Sequence, residues 1–174
     1  MNYIIETERL QLRPFVLNDA TFVIQLLNSD GWLKYIGDRN VHNTTQAEQY
    51  LQNGPMLSYE VNGYGLWLVQ KKESKLPVGM CGVLKRETLH LPDIGFAFLP
   101  EFTGLGYALE AAKASLHYAM ETLGLKEIAA ITLAGNEKSV KLLTKLGMQN
   151  KGPFYLPDST EELQLFSIKK TSHG

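Results

Sequence analysis

The sequence predicts one mixed α/β domain of the α+β type, and three observations carry that reading. Segments that alternate with a period of two, as strands do, are interleaved with segments whose apolar residues recur every three or four positions, as in helices. The chain has 174 residues, 44% hydrophobic and 20% charged, which suits a domain with a buried core. No linker, repeat or low-complexity tract divides it, so residues 1–174 read as a single unit.

Residues 8–15 alternate, with Leu10 and Leu12 on one face and Arg9, Gln11 and Arg13 on the other, which predicts a half-buried strand. Asn18 and Asp19 have the chemistry of helix caps and precede Phe22, Val23, Leu26 and Leu27 at helical spacing. Residues 32–41 are too irregular to assign. Thr44 or Thr45 is expected to cap a second helix carrying Ala47, Tyr50 and Leu51 and ending near Gly54 and Pro55. Residues 65–70 and 78–84 read as strands joined by the polar turn 71–75, a hairpin by its composition. Residues 93–99 form a third strand, stopped by Pro100. A helix starts near Gly106, with Leu109, Ala112, Leu116, Ala119 and Leu123 on one stripe and Gly124 as its stop. Residues 128–133 read as a buried strand, Asn136 caps a short helix ending at Gly147, and 148–168 hold two strands around the turn 156–159. The predicted order is β-α-α-β-β-β-α-β-α-β-β.

Composition excludes several functions. The net charge of -1 and the lack of an aromatic-basic stripe argue against a nucleic-acid partner or an anionic membrane. The single cysteine, Cys81, allows no intrachain disulfide framework and no cysteine-based zinc cluster. His42, His90, His117 and His173 lack metal-protease spacing, so no metal is expected. The first ten residues carry Glu6 and Glu8 and no long apolar run, unlike a signal peptide or membrane anchor, and a cytoplasmic location is the default expectation.

The most informative stretch is 99–112, where a strand ends, Gly104 and Gly106 sit two apart, and a helix opens at once. The first turn of a helix has unpaired N–H groups and the positive end of the helix dipole, so it attracts anions. Glycines remove side chains that would keep a diphosphate from the backbone. A plain strand-to-helix turn would also use these glycines. Two nucleotide loops do not fit: a P-loop needs Lys-Ser/Thr where Tyr107 and Ala108 stand, and a dinucleotide fingerprint wants Gly or Ala where Leu109 stands.

The run 93–112, with Asn136 and Ser139 beyond the next strand, resembles the acyl-coenzyme A motif of GNAT acetyltransferases. The opening Glu8-Arg9-Leu10-Gln11-Leu12-Arg13-Pro14 and the later Lys145-Leu146-Gly147-Met148 are similar to the ribosomal-protein N-terminal acetyltransferase branch. The resemblance implies a central, mostly antiparallel twisted sheet with helices on both faces. It implies acetyl-CoA as cosubstrate and direct attack by an amine acceptor, a protein N-terminus or a small molecule, on the thioester. Three positions depart from the pattern: Glu101, often Gln or Arg in the family; Thr103, often tryptophan in the branch; and Leu143, where many members carry a tyrosine acid.

By the same resemblance, the strand holding Phe96, Ala97 and Phe98 faces the pantetheine arm with its backbone. Amides near Gly95 and Phe96 would polarise the thioester carbonyl. Thr103, Gly104, Leu105, Gly106, Tyr107 and Ala108 would surround the diphosphate, and Asn136 would bond the pantetheine arm. The side chains of Ile94, Phe96 and Phe98 also read as plain core, and Asn136 as a plain helix cap. Ser139 is the candidate proton donor to the leaving thiolate, or an orienter of water. Asp93 is the candidate general base, although its first reading is a solvated strand-end carboxylate following Pro92. Cys81, flanked by Met80 and Gly82, reads as a small buried hydrophobe rather than a nucleophile. Trp32, Tyr35 and Ile36 would wall the acceptor pocket by family layout. A coenzyme-binding module without transferase activity, and a monomer or a homodimer paired through the tail strand, stay open.

Overall fold

The computed structural model describes residues 3–171; Met1, Asn2 and residues 172–174, His173 among them, lie outside. Alternating segments become strands β1 (Ile5–Glu6), β2 (Leu10–Arg13), β3 (Leu66–Lys71), β4 (Pro77–Leu84), β5 (Asp93–Phe98), β6 (Glu127–Leu133), β7 (Gln149–Phe154) and β8 (Leu163–Lys169). Helices are α1 (Ala20–Leu27), α2 (Asp30–Tyr35), α3 (Thr44–Asn53), α4 (Pro55–Asn62), α5 (Tyr107–Glu121) and α6 (Glu137–Lys145). The strands form one sheet in the order β1-β2-β3-β4-β5-β6-β8-β7. Neighbours are antiparallel except β5 and β6, whose connection through α5 is the long crossover that parallel strands require.

Strand alternation sorts side chains onto two faces, and each face has its own core. Leu10, Leu12, Trp67, Val69, Cys81, Val83 and Ile94 pack with Ala111, Ala112 and Leu116 of α5 and Leu143 of α6. Leu68 and Met80 point the other way, into a cluster with Phe22, Val23, Leu26, Ala47 and Leu51 of α1 and α3. Helices therefore cover both faces, as the family resemblance implied.

Four details differ from the sequence reading. Strand β2 is buried on both faces, not half-buried, because its polar side is satisfied internally. Arg13 donates to Asp19 at 2.9 and 2.8 Å and to Gln70 at 3.1 Å beneath α1. The carboxylate of Asp19 accepts from Arg13 and from the Val16 amide rather than capping α1. The cap of α3 is Asn43, whose side chain accepts the Gln46 amide at 2.8 Å, one residue before Thr44. Finally, β1, α2 and α4 were not anticipated; α3 ends at Gly54 as expected, but Pro55 then opens α4 at once.

Candidate active site

The parallel pair at the centre of the sheet is joined at one point only, Asp93 beside Ala129. Beyond it β5 stays with β4 through Phe98, while β6 pairs with β8 to Leu133. A gap therefore opens between β5 and β6 toward their C-terminal ends, where crevices in parallel sheets take ligands. The Leu99 amide bonds the Val78 carbonyl at 3.0 Å, which fixes the phase of the antiparallel ladder. By alternation Asp93, Gly95 and Ala97 exchange backbone bonds with Leu84, Gly82 and Met80, and the peptide groups of Phe96 and Phe98 are turned toward the gap. Gly95, expected to help polarise a carbonyl, is committed to β4; Phe96 is the residue whose N–H faces the gap. Ala97 likewise has its backbone engaged, leaving only its methyl, which packs on the α1 side.

The loop after β5 runs through a short 3-10 turn, Pro100–Phe102, to Gly106, which caps α5 without any side-chain bond. Gly104 and Gly106 have φ of +78° and +85°, the left-handed region that L side chains rarely enter. A Cβ at Gly104 would meet nothing within 4 Å, so the backbone lies open on that side. Thr103 and Leu105 are exposed, Tyr107 and Ala108 half-buried. The Thr103 hydroxyl donates to the Pro100 carbonyl at 2.8 Å, closing the turn where the branch often has tryptophan. An open glycine backbone, uncapped N–H groups and the positive end of a long helix fit a diphosphate.

Helix α6 opens beyond β6, on the same side of the sheet as α5. Asn136 caps it, its Oδ1 accepting the Ser139 amide at 3.3 Å, which leaves the Asn136 amide nitrogen free to donate elsewhere. Ser139 is half-buried in the first turn. Leu143 is buried in the core, so its position supplies no acid.

Asp93 is not a solvated strand end. It is 1% exposed, and Nε of Arg86 lies 3.0 and 3.1 Å from its two oxygens. Burial pushes its carboxyl above the usual range, and Arg86 offsets only part of that push. Near it is a cavity of about 620 Å³ whose lining includes Leu57, Val61, Leu66, Leu84, Lys85 and Arg86. The cavity adjoins the Gly95 side of β5, since a Cβ at Gly95 would touch Leu84 and Leu66. A second cavity, of about 500 Å³, lies between Arg39 and α3, with no lining residue from β5, α5 or α6. Trp32, Tyr35 and Ile36 line neither cavity; Trp32 is packed into the α1–α3 core.

Cys81 is fully buried against the Ser115 hydroxyl at 3.4 Å, and burial pushes its thiol up to about 12. A thiol so held supplies no thiolate for an acyl-enzyme. Among the described residues no group of three or more His, Cys, Asp or Glu is placed to hold a metal ion, and no helix is long and apolar enough to cross a membrane.

Two site features had no signal in the sequence. Arg86 lies in an irregular loop, and only the fold brings it to Asp93. Arg9 reads as an outward strand residue, yet it reaches the glycine loop, donating to the Leu105 carbonyl at 3.0 Å and to Glu110 at 2.7 Å.

Residues 9–149 match the family model described as an acetyltransferase (GNAT) domain. The uncharacterized N-acetyltransferase YoaA of Bacillus subtilis is 31% identical over 150 residues, covering 86% of this chain and 84% of that protein. The FsC-acetyl coenzyme A-N(2)-transacetylase of Aspergillus fumigatus is 35% identical over 162 residues, covering 87% of this chain and 67% of that protein. Among solved structures, RimL, a ribosomal alpha-N-protein acetyltransferase in complex with coenzyme A, superposes with a TM-score of 0.82 at 15% identity. That match covers 97% of this chain and 98% of that one, and at such identity it speaks for the fold alone.

Proposed function

The chain belongs to the GNAT acetyltransferase family and is an acyltransferase, and from that premise we propose that it moves the acetyl group of acetyl-CoA to a primary amine by direct attack, with a protein or peptide N-terminus as acceptor. The observation that carries this reading is the gap between β5 and β6, which leaves the Phe96 and Phe98 peptide groups unpaired beside an uncapped helix start.

In this reading the acetyl-CoA diphosphate lies on residues 103–108, and the pantetheine arm lies along the free edge of β5. The Asn136 amide nitrogen donates to that arm. The amine nitrogen attacks the thioester carbonyl, and the Phe96 N–H stabilises the charge that develops on oxygen. Asp93 accepts the proton lost by the amine, directly or through water. A carboxyl held above the usual range is a better base than a surface aspartate. The carbon–sulfur bond then breaks, and Ser139 passes a proton from water to the departing thiolate, keeping its own hydroxyl proton in the exchange. With Leu143 in the core, Ser139 is the hydroxyl this chain offers for the step.

The acceptor enters through the cavity beside Leu84 and Arg86. Its charged lining residues are Lys85, Arg86 and Glu87, with Arg86 already paired to Asp93. One unpaired carboxylate is a poor match for a polycation. An α-amino group, with a pKa of about 7.7–8 against about 10.4 for lysine, also asks less of the base. The protein acts as one domain in the cytoplasm on this account, as a monomer or a homodimer. The test is an acceptor panel with acetyl-CoA: free peptide N-termini against spermidine and other small amines. Turnover of polyamines but not peptides would move the assignment to a small-molecule acetyltransferase. No acetylation of any amine, with tight coenzyme binding, would favour a binding module.

A further inference from the structure

The Arg9 guanidinium touches the glycine loop, its Nη2 lying 3.2 Å from where a Cβ at Gly106 would stand. Its Nε donates to Glu110 Oε1 at 2.7 Å, and its backbone amide donates to Glu110 Oε2 at 3.0 Å. Thr7 Oγ1 donates to the same Oε2 at 2.6 Å, so Glu110 ties the turn between β1 and β2 to the first turns of α5. Burial would raise the Glu110 carboxyl, but the bonds from Thr7 and Arg9 outweigh it and hold the group below its ordinary value. Arg9 then stacks over the Tyr107 ring, 4.4 Å from its centroid, and its Nη1 donates to the Leu105 carbonyl at 3.0 Å.

That last bond decides which way a peptide faces. The peptides of the described residues are all trans, and a trans peptide points its C=O and N–H in opposite directions. Holding the Leu105 carbonyl on Arg9 Nη1 therefore turns the Gly106 N–H away from that nitrogen. Without that hold, rotation about Leu105 ψ and the permissive Gly106 φ could turn the peptide to present a carbonyl oxygen, which repels a diphosphate.

We propose that Arg9, braced by Glu110, is a positioning residue that presets the Leu105–Gly106 peptide to receive the coenzyme's diphosphate. The inference rests on the reading of the loop given above and adds to it a residue some 96 positions away in the chain.

The test compares wild type, Arg9→Met and Arg9→Lys by calorimetry with coenzyme A and with pantetheine, which shares the thiol arm but lacks the diphosphate. Arg9→Met should weaken coenzyme A by about tenfold and pantetheine by less than about twofold. Arg9→Lys should also weaken coenzyme A selectively, because one ammonium does not span both Glu110 and Leu105 as the fork does. It serves as the reading if the methionine variant fails to fold. Unchanged coenzyme A affinity, or an equal loss for both probes, overturns the proposal while leaving the site assignment standing. No coenzyme A binding by wild type overturns both.

Discussion

Arg86 holds Asp93 through a single nitrogen, Nε at 3.0 and 3.1 Å from the two carboxylate oxygens, while Asp93 itself is 1% exposed. The pair is one-sided: the acid is buried and the cation is 37% exposed. Desolvation and Arg86 therefore pull the Asp93 carboxyl in opposite directions, and desolvation wins.

This relationship sets a pH dependence. A carboxyl whose pKa is raised on folding binds its proton more tightly in the native state. Its contribution to stability is therefore greatest in acid and falls as pH rises from its unfolded value, about 3.9, through its folded value. Arg86→Met removes the cation that, among the described residues, is bonded to the carboxylate. It should destabilise the fold by about 1–3 kcal/mol near pH 8 and by less near pH 5. Urea unfolding at the two pH values measures this; a loss equal at both would contradict the buried-acid account.

Asp93→Asn tests the proposed base. The pH–rate profile should lose an acid limb lying below the titration of the amine, with kcat reduced by about 100-fold or more. An unchanged profile would remove Asp93 from the chemistry and leave it as a structural partner of Arg86.

Ser139→Ala and Asn136→Ala should separate proton donation from coenzyme contact. Loss of the serine hydroxyl should lower kcat by about 100-fold with coenzyme affinity unchanged. Loss of the asparagine removes the α6 cap, costing about 1 kcal/mol of stability, and should raise the KM for acetyl-CoA. Serine and asparagine variants with the same kinetic phenotype would count against the division of roles.

Cys81→Ala should keep acetyl transfer within about twofold, since a buried thiol pushed up to about 12 stays protonated at neutral pH. Loss of turnover with the fold and coenzyme affinity intact would require an acyl-enzyme and end the direct-attack reading.

Asp19→Ala should be the most damaging of these changes to the fold, because it strands Arg13 beneath α1 with both side chains 8% exposed. The expected loss is about 3–5 kcal/mol, read as a shift in the urea midpoint. A loss under about 1 kcal/mol would mean that water or Gln70 takes over the guanidinium.

What was legible in the sequence follows a physical line. Period and punctuation located β3 to β6, α5 and α6, because apolar stripes and caps are local signals, Asn136 among them. They failed at α2, whose six residues carry no full stripe, and at α4, where Pro55 both follows one helix, as expected, and opens the next. The glycine loop was legible because backbone access to a phosphate needs glycine at set positions. The gap at Phe96 was not fully legible, since which amide faces it depends on ladder phase, here set by Leu99 on Val78. Arg9 depends on partners 96 and 101 positions away, Arg86 lies in an irregular loop, and the polar face of β2 is closed by Asp19 and Gln70 only once the chain folds; no periodicity records those.

The measurement that bears most directly on the central claim is calorimetric titration with acetyl-CoA, with ADP and NAD as controls, on wild type and on Gly104→Val. In the structure a side chain at Gly104 meets open space, so its effect reads backbone strain at φ +78° and obstruction of the ligand rather than a clash within the protein. The account predicts micromolar binding of acetyl-CoA by wild type, weak binding of the controls, and at least a tenfold loss, about 1.4 kcal/mol, in the variant. Failure of the wild type to bind acetyl-CoA, or undiminished binding by Gly104→Val, would contradict it.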